Sequence, residues 1–375
     1  MRLIDRYIMG RFIGNFCILL MFLFVFAVSV DLLLELDEYV DVAKEQIGPD
    51  GSSVAEFIAL VKIVVNFHGP RIFQFYAYMV GMLTVGAMGF TFSQMYRNRE
   101  LGALLAAGIP LHRVAMPVIV AALGLNGLQL LNQEFLLPRL APMLIRKHGD
   151  IGQEGVQAFN VRFTADGRGN LLQSPSFDPQ TASLSMPTFL DRDEAGRTVR
   201  RVTADRAVWS PDDGAWHLTN GLAITPGTDT AAHTTAMLLG QPIDRYPTDL
   251  TPDVLTIRRF GQFATMLSIT QIREMLQSPG VVNADALVRF AFARFTTVMI
   301  NMVVLVMVLP YFLLREPASL LRNSVLCAAM AIPASMGSLL SLAMPFPGIP
   351  PALGVFLPVL VLIPVAMFMV SSMRS

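Results

Sequence analysis

The sequence predicts an α-helical membrane protein with six transmembrane helices, three before and three after one inserted all-β domain. Three observations carry this. Of 375 residues, 53% are hydrophobic and only 15% charged, with a mean hydropathy of +0.53, a balance typical of chains that live in a bilayer. Six apolar runs are long enough, at about 1.5 Å per residue, to cross roughly 30 Å of hydrocarbon as helices. Between the third and fourth runs, residues 146–287 hold 13 of the chain's 28 Lys/Arg and 16 of its 28 Asp/Glu. A segment of that length and polarity is a water-exposed domain rather than a loop. The chain therefore divides into residues 1–145, 146–287 and 288–375.

Taken in order, Arg2, Arg6 and Arg11 precede the first apolar run, Phe12–Leu34, and no small-residue cleavage site follows it. The expectation is an uncleaved first span. Residues 31–71 carry eight acidic residues against Lys44, Lys62 and Arg71. Within them Val54–Val65 is apolar but too short to span, and Gly69-Pro70 breaks it, so it reads as an interfacial helix entering the second span, Phe73–Met95.

The stretch Tyr96–Pro110 is polar, then apolar. Asn98 is placed to cap a helix, Glu100 complements its positive end, and Leu101, Leu104 and Leu105 recur at i, i+3, i+4 before Gly108 and Pro110 end it. A helix of about three turns over residues 97–109 is marginal alone. It gains stability by packing into a groove on another protein, or by lying on lipid headgroups. The third span is Val114–Leu137.

In the insert, Val156–Thr164, Ala182–Leu190, Val199–Trp209 and Ala215–Thr225 are strand-length runs with partial alternation. They are separated by turn clusters such as Asp166-Gly167 and Asp212-Asp213-Gly214. Antiparallel strands at this spacing suggest a sandwich, a jelly roll or a related open barrel. An amphipathic helix, Thr270–Gln277, leads to the last spans, Val288–Leu313, Leu321–Ala343 and Ala352–Val370.

Orientation follows from the basic residues of the termini and short loops, Arg2, Arg6, Arg11, Arg97, Arg99, Arg113, Arg315, Arg322 and Arg374. By the positive-inside rule both termini and the 97–109 helix are cytoplasmic and the insert is exported, which in a double-membrane bacterium means the periplasm.

Composition also excludes functions. Zero net charge gives no electrostatic support for binding nucleic acid. Cys17 and Cys327 both fall inside spans, where they read as small apolar packing residues. The three lysines, Lys44, Lys62 and Lys147, precede Glu, Ile and His, so no phosphate-binding P-loop is possible and any ATP hydrolysis belongs to a partner. His68, His112, His148, His217 and His233 form no H-E-x-x-H pattern, and neither C-x-x-C nor G-x-S-x-G occurs. No enzyme, metal or cofactor is expected. With Glu134 near the outer end of its span, no mid-span carboxylate or histidine relay supports a secondary transporter.

Several short patterns occur in a fixed order around the three-plus-three spans. These are Ile4-Asp-Arg-Tyr7; Arg99-Glu100 with Ala106-Ala-Gly108; Asn132-Gln-Glu134-Phe-Leu-Leu-Pro138; Ala204-Asp-Arg-Ala207 before Trp216-His-Leu218; Asp249-Leu-Thr-Pro252; and Arg294 in the fourth span. With them the chain resembles the lipopolysaccharide-export permease family, LptF/LptG, over essentially its whole length. Ile4-Asp-Arg-Tyr7 leans toward the G-type. The resemblance implies a six-helix half-transporter of the inner membrane whose insert is a periplasmic β-jellyroll. It implies as partners a cytoplasmic ABC ATPase dimer, a second homologous permease subunit, a periplasmic jellyroll bridge protein and a glycolipid substrate drawn sideways from the membrane. The chain departs from the family at the outer end of span one, where Asp31, Glu35, Asp37 and Glu38 replace basic residues and disfavour a phosphate-rich headgroup. It departs again at Val298, which stands where many members have a kinking proline.

On this reading Arg99, Glu100 and Leu104 are candidates for coupling to the ATPase, with simple charge complementarity at a helix start as the alternative for Glu100. Arg294, with Arg139 and Arg146 beyond Pro138, is the candidate for the lipid headgroup; snorkelling to the interface is the alternative. Phe159, Val161, Phe163, Leu184, Met186 and Phe189 are candidates for the jellyroll interior, and are equally residues any small sandwich would bury. Two rival functions remain: a permease of the same fold for a different lipid, and a membrane-anchored periplasmic scaffold or binding module.

Overall fold

The structure, a computed structural model, describes residues 3–48, 52–144, 158–193, 195–225, 240–261, 266–277, 284–312, 320–344, 346 and 348–371. The chain separates into two compact units, Met1–Leu140 with Asp285–Ser375, and Ala141–Ala284.

The first unit is helical. It begins with α1 (Leu3–Leu34), α2 (Leu36–Ile47), α3 (Ser53–His68), α4 (Arg71–Arg97), α5 (Glu100–Ala106) and α6 (Leu111–Leu131). A π-helical turn, Asn132–Leu136, then joins α6 to α7 (Leu137–Leu144). After the insert come α10 (Ala284–Val308), α11 (Leu320–Ala343), α12 (Pro351–Gly354) and α13 (Leu357–Ser371). Among the described residues five stretches have the length and hydropathy to cross a membrane: Leu3–Leu34, Arg71–Arg97, Leu111–Ala141, Ala284–Tyr311 and Pro351–Met369. The sixth expected span is the 24-residue α11, apolar from Val325 to Gly337. Without a proline at Val298, α10 runs unbroken through that position.

The core of this unit gathers Ile8, Phe12 and Phe16 of α1, four residues apart on one face, with Val80 and Met88 of α4 and Val118 and Ala122 of α6. Gly81 lets α10 come close: a Cβ there would lie 2.2 Å from Asn301 Oδ1. Helix α1 starts well before the expected Phe12 and so carries Tyr7 and Arg11 on the same rod as the first span. The expected interfacial helix is α3, capped by Ser52, whose Oγ accepts from the Ala55 amide at 3.3 Å. Val54, Phe57, Ile58, Val61 and Val65 form an exposed apolar stripe along it. Helix α2 was not expected. Its acidic, weakly apolar sequence buries only Tyr39 and Ala43.

The second unit is one antiparallel sheet of ten strands: β1 (Phe159–Ala165), β2 (Leu171–Asp178), β3 (Ser183–Ser185), β4 (Thr188–Arg192), β5 (Thr198–Thr203), β6 (Arg206–Ser210), β7 (Ala215–Thr219), β8 (Leu222–Ile224), β9 (Gln241–Pro242) and β10 (Arg245–Pro247). The order β10-β7-β6-β3-β2-β4-β5-β8-β9, with β1 on the far edge of β2, has a simple cause. Each long run breaks once near its middle, and the breaks align. They fall at Met186-Pro187, Ala204-Asp205, Asn220-Gly221 and Ile243-Asp244. Along this crease the ladder is replaced by bonds from Met186 N to Asp205 O (2.8 Å), Asp205 N to Thr219 O (3.1 Å) and Ile243 N to Gly221 O (3.0 Å). Met186 and Asn220 take left-handed backbone angles there. Gly221 has no room for a side chain, since a Cβ would sit 2.1 Å from Ile243 O.

The crease folds the sheet into two wings, β3-β6-β7-β10 and β4-β5-β8-β9, that share β2. Between them lies a core of Phe177, Leu184, Phe189, Val202, Ala207 and Trp216. Phe189 of one wing stacks on Tyr246 of the other at 4.1 Å, and the Tyr246 hydroxyl donates to Asp191. Trp216 Nε1 donates to Leu250 O at 2.9 Å, ahead of α8 (Pro252–Gly261). The amphipathic α9 (Ile269–Gln277) matches the helix expected at Thr270–Gln277.

Candidate functional site

The coupling stretch is built around Glu100. Helix α5 has seven residues, two turns rather than three, because Arg99 adopts a left-handed backbone (φ 57°) and separates it from α4. Asn98 does not cap α5. The capping position is Arg99, which makes no side-chain cap bond, and the Asn98 amide donates instead to Glu100 Oε1 at 2.9 Å. At the other end Gly108 (φ 75°) closes the helix, with Gly108 N on Leu105 O (2.9 Å) and Ile109 N on Leu104 O (3.0 Å). Leu101 is buried and Leu104 half-buried against the helical core.

Both Glu100 oxygens are held from within the chain. Arg11 Nη1 lies 2.9 Å from Oε1 and from Oε2, and Tyr7 Oη donates to Oε2 at 3.1 Å. Arg11 also donates through Nη1 to Tyr7 Oη (2.6 Å) and through Nε to Gln94 Oε1 (3.1 Å). Partial burial raises the carboxyl's pKa, but the bonds from Asn98, Arg11 and Tyr7 outweigh this and hold it below its ordinary 4.5. Glu100 is thus a carboxylate in a short polar lattice joining α5 to α1 and α4. No local pattern points to Arg11 as its partner, which lies 89 residues away.

A second cluster lies where the π turn meets α10. Arg294, its side chain 3% exposed, donates through Nη1 to Glu134 Oε2 at 2.9 Å. The turn widens the helix locally, an arrangement common where a helix re-aims a functional side chain. The same face of α6 continues the polar track. Asn132 Nδ2 donates to Phe73 O (2.9 Å) and Gln129 Oε1 (3.1 Å), and Asn301 Nδ2 donates to Asn126 Oδ1 (2.8 Å). Arg139 is exposed on α7, and Arg146 lies outside the described residues.

A model of the family described as "Lipopolysaccharide export system permease LptF/LptG" matches residues 6–372. The chain belongs to the LptF/LptG permease family. A comparison with curated proteins found no match. Family membership makes this a lipopolysaccharide-export permease, a transporter component with a multi-pass helical membrane part and an inserted β domain.

At the end of span one of this permease, the acidic positions are not equivalent. Asp31 Oδ2 accepts from Tyr39 Oη at 3.2 Å and lies 3.3 Å from His68 Nε2, and Tyr39 and His68 are both buried. Burial and the neighbouring Asp31 carboxylate push the Tyr39 phenol up. Glu35 and Asp37 are exposed. In the sheet, Val161, Leu184 and Phe189 are buried in the core between the wings and Phe159 packs against it. Phe163 and Met186 lie outside that core, 56% and 64% exposed. The register of β1 shifts twice, between Phe159 and Val161 and between Val161 and Thr164, so simple alternation fails at Phe163. Met186 sits in the left-handed crease.

Proposed function

We propose that this permease is one subunit of an ATP-driven inner-membrane exporter that extracts lipopolysaccharide or a related glycolipid and passes it to a periplasmic bridge. The family match over residues 6–372 carries the reading. On it, the termini and α5 face the cytoplasm, the sheet lies in the periplasm, an ATPase dimer binds at α5, and a second permease subunit completes the membrane part. Arg99, Glu100 and Leu104 make up the coupling surface. Leu104 keeps part of its surface open beyond its packing on the helical core, and the left-handed Arg99 next to Glu100 is exposed. Residues 1–145 and 288–375 form the membrane part and 146–287 the exported domain. Arg294 and Arg139 serve the lipid's anionic groups, Arg294 from within its pair with Glu134. Arg146 is assigned with them on its position after Pro138.

One observation favours a second reading, a permease of the same fold for a lipid with fewer phosphates. Glu35 and Asp37 are exposed at the end of span one, and phosphate groups there would be repelled. Affinity recovery of the tagged permease from its native membrane into nanodiscs, with mass spectrometry of proteins and lipids, tests both. Recovery of a soluble ATPase, a second six-span permease and lipopolysaccharide is expected. A lipid poor in phosphate would select the second reading. Periplasmic proteins without any ATPase would overturn the exporter and leave a scaffold.

A further inference from the structure

We propose that Arg11, steadied by Tyr7, is a positioning residue that carries displacement of α5 to the first membrane helix by holding Glu100. The inference rests on the exporter reading and deepens it. A seven-residue helix has too few internal bonds to hold its own shape, so its position is set by what it is tied to. Leu101 anchors one side in the helical core. The other tie is the Glu100 carboxylate, which receives Arg11 on both oxygens at 2.9 Å, with Tyr7 at 3.1 Å and Asn98 at 2.9 Å. Charge-assisted bonds of this kind are among the strongest polar links a partly exposed site can form.

At its other end the link is rigid. Arg11 sits on α1 between Ile8 and Phe12, both fully buried, so its backbone is held by the core, and a displacement of α5 that keeps the Glu100 bonds is passed to α1 once the side chain's own reach is used. One turn further along, Asn15 Nδ2 donates to Thr91 Oγ1 at 3.0 Å, which ties the same stretch of α1 to α4. The lattice is also reversible. The side chains of Arg11 and Glu100 are 21% and 28% exposed, so water or a competing cation can reach the carboxylate. An ATPase that pushes α5, or that offers Glu100 a cation of its own, therefore acts on α1 through Arg11.

The test separates transport from hydrolysis. The full permease, purified with its ATPase and partner permease and reconstituted into proteoliposomes containing lipopolysaccharide, is compared with Arg11→Gln and Arg11→Lys. ATP consumption and lipid release are read in parallel. Lipid released per ATP is expected to fall about tenfold in Arg11→Gln, the weight of one charge-assisted link. It should be partly kept in Arg11→Lys, which retains the charge but not the two-oxygen reach of the guanidinium. A proportional fall of hydrolysis and release, or loss of ATPase binding in Arg11→Gln, would show that Arg11 only folds the docking surface and would overturn the proposal. So would an unchanged ratio. A wild-type complex that recruits no ATPase would instead defeat the exporter reading itself.

Discussion

Replacing Glu134 by glutamine should destabilise the helical unit far more than removing its whole ion pair. Arg294 is 3% exposed and its Nη1 lies 2.9 Å from Glu134 Oε2, so Glu134→Gln leaves a guanidinium in an apolar span facing a neutral amide. Breaking a buried pair from one side costs about 3–5 kcal/mol, because the remaining charge loses its counter-ion in a poorly hydrated site. Glu134 is 25% exposed and water reaches part of the site, so the lower end applies, about 3 kcal/mol. The converse change, Arg294→Met, leaves its charge on the more exposed partner and should cost less, about 1–2 kcal/mol. The double variant Glu134→Gln/Arg294→Met removes both charges and should lie near the wild type, giving a coupling energy of about 4–5 kcal/mol. Equilibrium unfolding of the full permease in mixed micelles, followed by tryptophan-independent far-ultraviolet circular dichroism, measures all three. Additive effects, or a Glu134→Gln cost under about 0.5 kcal/mol, would mean the pair is solvated and that Arg294 is not held by Glu134 within the membrane part.

Further outcomes follow from single contacts. Gly221→Ala should open the crease, since its Cβ would meet Ile243 O at 2.1 Å; about 2–3 kcal/mol is expected, seen as faster hydrogen exchange in β7 to β10. Gly81→Ala should displace Asn301 from Asn126 and cost about 1 kcal/mol, an effect that should shrink in an Asn126→Leu background, where that bond is already gone, measured by the same unfolding assay. Tyr246→Phe keeps the stack on Phe189 but removes the bond to Asp191, costing about 1 kcal/mol, whereas Tyr246→Ala should cost about 3 kcal/mol or more and expose the wing core to an apolar dye. Because Glu100 is held below its ordinary 4.5, its tie to α1 is fully present above that pH and is lost as pH falls through the lower folded value. Protease cleavage within α5 should therefore stay constant from pH 7 to pH 5 and rise only below about 4.5 in the wild type, and Glu100→Gln should be cleaved readily at every pH.

How much of this was legible in the sequence depends on the range over which each feature is decided. The spans follow from length and hydropathy alone, and the six expected runs coincide with α1, α4, α6, α10, α11 and the pair α12 and α13. The insert was legible as antiparallel β, yet its central strand, β2, was missed. Leu171–Asp178 contains Gln173, Ser174, Pro175 and Ser176, a composition that argues against a strand in the middle of a sheet. The crease is what permits it. Pro175 lies opposite the break between β3 and β4, where no ladder bond is needed, and buried Ser174 donates to the carbonyls of Ser176 (2.8 Å) and Ser185 (2.6 Å). The same crease split three of the expected strands in two, for it depends on breaks in neighbouring strands that align only once they pair. The coupling stretch shows the limit most directly. Its residues, its apolar spacing and its closing glycine were all visible, and so was the carboxylate. That Glu100 is met by Arg11 and Tyr7 depends on packing Ile8, Phe12 and Phe16 against α4, which rotates Tyr7 and Arg11 toward α5. A residue's chemistry can be read locally, but its partner is chosen by the core, so the candidate coupling site came into view only as half of a pair.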